Sequence, residues 1–454
     1  MSEYFTPKAL AAGSGGSVLV DRCQISGSTD LQSILFAGFL PPVNTMAPIG
    51  SRPNEQPAYP AELLYCPESK LVQLGLTVDP AVLFPPHYAY TSGTTRILRD
   101  NFAELYTEVM NLYPISHDAL AVDIGSNDGT LLSNFHDAGH RVCGIEPTET
   151  HKIAVSNGIP SINEFFGPAA AANVTSTYGR AAIVTATNVF AHIENVHEIV
   201  ESIISLLDDD GIFISESHYL LALIETLQYD TIYHEHLRYY SLQSLKYLLE
   251  MHGLEIIHAK RIPTHGGSIR VYATRNGQKP VQSSVAALLA VEDQQLTWEH
   301  FMNFRTRVSQ SKLDLMALLQ GIRGKGERIY GIGAPSRAST LVNYVGLDDS
   351  IIDAVMEIKG SYKIGKMMPG TLIPVLEESQ LFLEQPEYAL LFSWHIADEL
   401  MPKLREKGYT GKFILPLPNT AIVYLVSCRT TRRSPTHHRP IIMVKQQRRR
   451  LSSH

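Results

Sequence analysis

Residues 120–132, LAVDIGSNDGTLL, open with an apolar run that gives way to glycines and polar residues. The apolar run predicts a buried strand, and Gly125 and Gly129 predict a tight turn that leads directly into a helix. Asp123 interrupts the apolar run, where a carboxylate is costly unless it is paired or hydrogen-bonded. The pattern therefore predicts a strand, a turn and a helix whose polar residues serve a ligand or the loop amides.

Further strand-like runs follow, separated by stretches with the hydrophobic spacing of helices. They are PSINEFF (160–166), AAIVTATNVF (181–190), GIFISES (211–217), LEIIHAKRIP (254–263) and SIRVYATR (268–275). Because the last two are closely connected, they predict one antiparallel strand at the edge of an otherwise parallel sheet. The predicted fold class is therefore α/β, with a doubly wound sheet.

A second α/β pattern begins after a long helical region that follows residue 275. The stretch ERIYGIGAPSRASTLVNYVGL (327–347) again reads as strand, glycine turn and helix, and strand-like runs follow it. It lacks an acid after the glycines and a full dinucleotide fingerprint, so we assign this Rossmann-like domain to substrate binding. Arg337 would meet a phosphate at the helix N-terminus, and the alternative is a surface arginine near a helix cap.

The stretch from residue 18 to about residue 86 is rich in proline, glycine and serine and predicts a small irregular module. Cys23 and Cys66 are each followed three residues later by serine, in CQIS and CPES, which is the spacing of a zinc knuckle that has lost its second cysteine. We therefore expect two buried cysteines that act as small hydrophobic residues, and no zinc unless histidines complete the site.

Length and composition set broader limits. A chain of 454 residues favours about three domains, and we predict boundaries that give residues 1–90, 91–275 and 276–427, with a basic disordered tail over 428–454. The net charge of −7 gives no reason to expect nucleic acid or a membrane surface as partner. The sequence shows no signal peptide, and its few cysteines favour a reducing cytoplasm.

The loop after the first strand distinguishes between two nucleoside cofactors. Glu146 ends a second strand, RVCGIEP, where an acid can accept both ribose hydroxyls. A dinucleotide fingerprint would need glycine where Asn127 stands, and Asp128 would repel a phosphate. S-adenosylmethionine has an amino group and no phosphate, and D-I-G-S-N-D-G resembles the first motif of class I methyltransferases. A turn without a ligand would leave Asp123, Asp128 and Glu146 unexplained.

Two polar stretches follow the fourth and fifth strands, where such a sheet places its substrate. In TNVFAHIENV, a helical turn after the strand would put Asn188 and His192 on one face. In TIYHEHLRYYS, the consecutive residues Tyr233, His234, Glu235 and His236 suit general acid–base catalysis. His234 and His236 could instead hold a metal, but no third ligand with suitable spacing lies nearby.

Two further stretches are candidates for substrate contact. His265 precedes Gly266 in HGGSIRVYA, where the backbone could approach a ligand or form a bulge that enters the edge strand. Tyr88 and Tyr90 precede a turn rich in threonine and glycine.

The motif order resembles the sugar C-methyltransferases that act on dTDP-linked 4-keto deoxysugars in antibiotic biosynthesis. The matching motifs are a cysteine-bearing N-terminal module, D-I-G-S-N-D-G, N-V-x-A-H, Y-x-E-H, H-G-G-S-x-R-V-Y, G-x-G-A-x-x-R and P-L-P, from about Cys23 to Pro418. The resemblance implies a zinc-binding N-terminal domain, a central S-adenosylmethionine domain and a C-terminal Rossmann-like domain that helps to hold a nucleotide sugar.

The resemblance also implies residue roles. His236 would remove the proton beside the ketone, with Tyr233 and Glu235 at its side. Asn188 and His192 would contact the sugar or stabilise the enolate, and Tyr88 or Tyr90 would come from the N-terminal module. The sequence departs from the family in both knuckles and at His234, where an aspartate is expected. The alternatives are a methyltransferase of another small molecule, directed to oxygen or carbon, and a non-catalytic binding protein.

Overall fold

The protein is described here by a computed structural model, which covers residues 10–11, 16–54, 56–83, 93, 95–425 and 442–445. The chain forms two compact units. The first unit comprises Met1–Phe36, Pro60–Glu225 and His234–Met302, and the second comprises Ala37–Tyr59, Thr226–Tyr233 and Asn303–His454. The segments of the two units alternate along the chain, whereas the domains predicted from the sequence follow one another. The domain boundaries given above stay a prediction.

The strands of the described residues are β1 (Leu10–Ala11), β2 (Val18–Leu19), β3 (Gln32–Leu40), β4 (Tyr59–Tyr65), β5 (Val72–Leu74), β6 (Leu76–Thr77), β7 (Leu120–Ile124), β8 (Arg141–Ile145), β9 (Ser161–Ile162), β10 (Ala181–Thr187), β11 (Leu207–His218), β12 (Arg238–Tyr239), β13 (Leu254–Ile262), β14 (Ser268–Arg275), β15 (Ile329–Ile332), β16 (Ala354–Glu357), β17 (Val375–Glu377), β18 (Tyr388–Leu391), β19 (Lys412–Leu415), β20 (Ala421–Leu425) and β21 (Ile442–Lys445).

The α-helices are α1 (Pro80–Leu83), α2 (Arg96–Leu112), α3 (Thr130–Asp137), α4 (His151–Ser156), α5 (Pro168–Tyr178), α6 (Val196–Leu206), α7 (Leu220–Glu225), α8 (Leu242–Met251), α9 (Ser283–Gln295), α10 (Trp298–Arg323), α11 (Ser336–Val345), α12 (Ser379–Glu384) and α13 (Ala397–Glu406). Short 3-10 helices span Tyr229–Thr231, Thr264–Gly266 and Trp394–Ile396. In the described part of the chain, no helix is long and apolar enough to cross a membrane.

The N-terminal region is more regular than predicted. It forms a small sheet in the order β1-β2-β6 and, together with β12 from later in the chain, a second sheet in the order β12-β5-β4-β3. The expectation of an irregular module was wrong, because β4 carries the alternation of a half-buried strand: Ala61, Leu63 and Tyr65 are buried and the residues between them are less so.

The central sheet of the first unit has seven strands in the order β13-β14-β11-β10-β7-β8-β9. The strands from β11 to β9 pair in parallel, and β14 pairs antiparallel with both β11 and β13. The predicted doubly wound sheet is confirmed, but the antiparallel strand lies next to the edge and not at it. The reason is the pairing of β14, which bonds to β11 from Phe213 to His218 on one side and to β13 on the other, so β13 is left at the edge.

Both faces of this sheet are covered. Successive residues of β7 belong to different hydrophobic clusters, with Val122 in one and Ala121 in the other. All five residues of β7 are therefore buried, including Asp123. The carboxyl ends of β7, β8, β10 and β11 consequently meet at one edge of a rigid, fully packed layer.

The second unit contains the predicted second sheet, with seven strands in the order β17-β16-β15-β18-β19-β20-β21. The first five are parallel, and β20 pairs antiparallel with both β19 and β21. The strand β21 corrects one prediction, because these four residues of the tail pair with β20 and are not disordered. They include the short apolar run IMV between two basic stretches. The other residues of the tail lie outside the described residues.

Candidate active site

The turn after β7 needs glycine where the sequence places it. Gly125 has a φ of +68°, and a Cβ there would lie 2.4 Å from Cγ2 of Val189. Gly129 has a φ of +81° and precedes α3. Asn127 is also left-handed, at +51°, which asparagine tolerates better than most residues. The backbone therefore leaves the strand in a compact loop that other side chains would obstruct.

Asp123 is buried at the centre of the sheet edge. Its Oδ1 accepts a hydrogen bond of 2.6 Å from the hydroxyl of Thr185 on β10. Burial raises the pKa of Asp123 to about 7; the Thr185 hydrogen bond opposes this rise, and the charges of Glu146 and Glu216 add to it. Asp123 is thus a carboxyl group that holds its proton into the neutral range.

Two further acids are held by backbone amides. The carboxylate of Glu146 accepts N–H donors from Asn127 at 3.0 Å and from Thr148 at 2.8 Å, so it joins the loops that follow β7 and β8. Asp128 accepts the N–H of Gly93 at 2.8 Å and the hydroxyl of Thr130 at 2.6 Å. Each carboxylate oxygen has two lone pairs, so Glu146 can accept additional donors from a ligand.

Asn188 and His192 follow β10 in a turn, not in a helix. Asn188 has a φ of +57°, its N–H donates to the carbonyl of Glu216 at 2.8 Å, and the N–H of His192 donates to Val189. The predicted helical turn was wrong, because the left-handed residue interrupts it and α6 begins only after Asn195, which caps it. Among the described residues, Asn188 Oδ1 and His192 Nδ1 are buried without a hydrogen-bond partner. Such atoms are uncommon in folded proteins and mark a place where a ligand can bond.

Four imidazole rings from separate elements come together at the same edge of the sheet. The ring centroid of His236 lies 5.0 Å from that of His192 and 4.9 Å from that of His218, and His218 stacks on His265 at 5.4 Å. The sequence interpretation missed His218. Its signal was its position as the last residue of β11, at the carboxyl end of a buried strand. His265 has a φ of +55°, so its backbone is also left-handed.

The stretch around His236 is a turn, so the strand geometry needed for a metal at His234 and His236 is not met. His234 Nε2 lies 3.2 Å from the carbonyl oxygen of Pro60, whereas the His236 ring contacts other imidazoles. Both histidines and Glu235 are buried, and Tyr233 is half-buried. Burial lowers the pKa of His192, and a hydrogen bond with the backbone of Glu235 opposes that shift.

A small cleft adjoins these residues. It is lined by His192, Glu194, His234, Glu235 and Leu237 together with Thr77, Val78, Pro80 and Leu83. The segment from β6 to α1 thus supplies one wall of the cleft. Tyr88 and Tyr90 follow that segment directly and lie outside the described residues.

Arg337 lies in the second unit at the start of α11. Its Nε and Nη2 donate to the two carboxylate oxygens of Asp230 at 2.7 and 2.8 Å, and Trp394 Nε1 donates to the same carboxylate at 2.8 Å. Arg337 is buried, so the alternative of a surface arginine was wrong. Nη2 also donates to Oε1 of Gln228 at 3.3 Å, so the two Nη1 hydrogens are the donors that remain. The contact of Arg337 with a substrate phosphate stays a prediction.

A buried ion pair lies within the central sheet, and the sequence interpretation missed it. Arg270 on β14 donates to Glu216 on β11 at 2.6 Å, and both side chains are fully buried. The signal was a charged residue inside the apolar part of each of the two strands, as with Asp123. Burial raises the pKa of Glu216, and the charge of Arg270 opposes that rise. The ion pair positions Glu216, and the backbone carbonyl of Glu216 accepts the N–H of Asn188.

The N-terminal module brings together Cys23, Ser26, Cys66 and Ser69, which we name the Cys/Ser knuckle. The Sγ of Cys23 lies 3.1 Å from the Oγ of Ser69, and the Oγ of Ser26 lies 3.6 Å from the Sγ of Cys66. Both cysteines are buried, as predicted, but their sulfurs hydrogen-bond and are more than hydrophobic filling.

Family models match along most of this chain. The descriptions are "Putative zinc binding domain" for residues 23–84, "Methyltransferase domain" for residues 97–259 and "C-methyltransferase C-terminal domain" for residues 263–418. The C-methyltransferase NovU of Streptomyces niveus is 30% identical over 409 residues, which are 89% of this chain and 97% of that protein.

The chain belongs to the C-methyltransferase family. The predicted methyltransferase and its class I sheet are therefore confirmed. The roles of individual site residues in this C-methyltransferase stay predictions.

Solved methyltransferase structures are also similar to parts of this C-methyltransferase. Magnesium protoporphyrin IX methyltransferase from Synechocystis PCC 6803, solved with bound SAM, is 15% identical, covers 39% of this chain and 79% of its own, and has a TM-score of 0.30. The plantazolicin methyltransferase BpumL, solved with SAH, is 12% identical, covers 40% and 87%, and has a TM-score of 0.33. These similarities are too distant to bear on the substrate.

Proposed function

We propose that this C-methyltransferase transfers a methyl group from S-adenosylmethionine to the carbon next to the ketone of a nucleotide-linked deoxysugar. The observation that carries the proposal is the pair of half-buried His192 and buried His236, whose ring centroids lie 5.0 Å apart beyond the carboxyl ends of the sheet strands. They lie in the same unit as the acid-lined loop after β7.

The loops after β7 and β8 fit the cofactor. The residues that would hold it are Asp123, Gly125, Asn127, Asp128, Gly129 and Glu146. Glu146 would accept the ribose hydroxyls, because it directly follows β8 and retains acceptor capacity beyond its two backbone bonds. Asp128 favours a ligand with a positively charged amino group and disfavours one with a phosphate. When bound, S-adenosylmethionine supplies an electrophilic methyl group on a sulfonium.

His236 is the proposed base. A carbon beside a ketone is too weakly acidic to attack a sulfonium unaided, so a positioned base must first remove its proton. His236 is buried and lies between two other imidazoles. Tyr233 and Glu235 precede it closely in sequence, and a positioned tyrosine hydroxyl would stabilise the enolate oxygen. Alignment of the enolate with the methyl group then completes the reaction.

His192 and Asn188 are proposed to hold the sugar. Burial keeps His192 neutral near neutral pH, because it lowers the pKa of the ring. One ring nitrogen is engaged by the backbone of Glu235, so the unpartnered Nδ1 suits a hydrogen bond from a sugar hydroxyl. The buried Oδ1 of Asn188 would accept a second hydroxyl in the same way. His265, Tyr88, Tyr90 and Arg337 are the other proposed substrate contacts.

A methyl-transfer assay tests this function. Purified protein is incubated with S-adenosylmethionine labelled with carbon-13 in the methyl group and with a panel of 4-keto-deoxysugar nucleotides. We expect at least one member of the panel to gain a label whose carbon NMR shift is that of a methyl group on carbon. A label found as an O-methyl group would support the oxygen-directed alternative. Cofactor binding with no product across the panel would favour the non-catalytic binding protein.

A further inference from the structure

The Cys/Ser knuckle lies within the region that matches the zinc-binding family model. A structural zinc site takes four thiolate or imidazole ligands, with zinc–sulfur distances near 2.3 Å. Here two of the four positions are serine, whose neutral hydroxyl is a poor zinc ligand. The residues present therefore do not fit the metal that the family model implies.

The four side chains bond to one another instead. Cys23 pairs with Ser69 at 3.1 Å, and Ser26 pairs with Cys66 at 3.6 Å, so each half of the knuckle bonds to the other. A hydroxyl and a thiol can each donate and accept, so alternating them lets all four groups find partners without a cation. The N–H groups of Ile25 and Ser26 also point at the Cys23 sulfur, each at 3.4 Å.

Backbone bonds close each half independently. The N–H of Gly27 donates to the carbonyl of Cys23 at 2.9 Å, and the N–H of Cys66 donates to the carbonyl of Leu71 at 2.9 Å. Cys23, Cys66, Ile25 and Leu71 all belong to the main hydrophobic cluster of the first unit. Packing and turn hydrogen bonds thus supply the stability that a metal gives to a small module without a core.

We propose that the Cys/Ser knuckle is a metal-independent form of the family's zinc site, held closed by hydrogen bonds between sulfur and hydroxyl groups. Two serines stand where thiolates would bind the ion. The N-terminal module therefore folds without zinc, and the enzyme tolerates chelators.

Restoring the two ligands gives a direct test. The double variant Ser26→Cys/Ser69→Cys has a knuckle of four cysteines on an unchanged scaffold and should bind about one zinc per chain by elemental mass spectrometry. Its melting temperature should fall on treatment with EDTA. Wild type grown with the same added zinc should contain well under one zinc per chain, and EDTA should leave its melting temperature unchanged.

The matched control is Ser156→Cys/Ser176→Cys, which adds two cysteines at exposed positions of α4 and α5. It should bind no more zinc than wild type. Stoichiometric zinc in wild type that is lost in Cys23→Ala would overturn the proposal. The wild-type measurement decides the matter even where the double variant does not fold.

Discussion

At the residue scale, the site depends on ionisable side chains that are buried and therefore need defined partners. Asp123 has one hydroxyl partner, Glu146 has two backbone donors, and Glu216 has a guanidinium. Burial raises the pKa of Asp123 to about 7.

This raised pKa predicts a pH-dependent stability. Between the ordinary value of 3.8 and about 7, folded Asp123 keeps a proton that the unfolded chain has released, so the free energy of unfolding falls as pH rises. The variant Asp123→Asn has no carboxyl group at this position, so its free energy of unfolding does not fall in this way as pH rises. We therefore expect the variant to gain stability relative to wild type between about pH 5 and about pH 7, by about 1.4 kcal/mol for each pH unit, and to keep that gain at about pH 8.

Urea unfolding of both proteins without cofactor measures this difference. Asp118→Asn is the control, because the pKa of exposed Asp118 is lowered by the hydroxyl of Ser116, so Asp118 is ionised at both pH values. The difference in unfolding free energy between Asp118→Asn and wild type should therefore be the same at about pH 5 and at about pH 8. A constant difference between Asp123→Asn and wild type across this range would contradict the account.

Single residues were predictable where they broke a local pattern. Asp123 and the run from Tyr233 to His236 stood out because polar groups interrupt an apolar strand or cluster in sequence. His218 was missed because its contacts with His236 and His265 join separate elements. Ring contacts of that kind leave no trace in spacing along the chain.

At the element scale, the turn after β7 makes a prediction about Gly125. Gly125→Ala would place a Cβ 2.4 Å from Val189 in a left-handed conformation, whereas Gly158→Ala meets nothing within 4 Å at a φ of +83°. Gly158→Ala should therefore cost only the left-handed strain of about 1–2 kcal/mol. Gly125→Ala should cost more and weaken S-adenosylmethionine binding more than tenfold, because β7 and the loop after β10 must separate.

Thermal unfolding and calorimetric titration of the cofactor give the two measurements. Equal destabilisation in both variants, with cofactor affinity intact in Gly125→Ala, would show that the turn does not form the cofactor site.

Elements were predictable where their periodicity was strong. The strands β7, β10, β11, β13 and β14 were all predicted from such runs, although β11 begins four residues before its run. The position of β14 in the strand order was not predicted, because sheet order depends on pairing between distant segments. The left-handed Asn188 and the short strand β21 were missed for a related reason, since tertiary pairing decided both conformations.

At the scale of the whole molecule, two α/β units are interleaved along one chain. Residues 226–233 belong to the second unit, where Asp230 is held by Arg337 and Trp394, and the next residues, beginning with His234, belong to the first. The two sheets could be predicted from their repeated pattern of strand, glycine turn and helix. The boundary between the two units inside TIYHEH could not be predicted, because only long-range contacts define it.

The proposed role of His236 is to generate an enolate beside a ketone. Hydrogen exchange in heavy water follows this step, with S-adenosylhomocysteine bound in place of the methyl donor and a keto-sugar nucleotide that serves as substrate. Wild type and the control His136→Gln, altered at an exposed position of α3, should wash deuterium into the carbon beside the ketone. His236→Gln should not, although its cofactor affinity should be unchanged. Exchange at the wild-type rate in His236→Gln, or methylation by wild type without any exchange, would contradict the account.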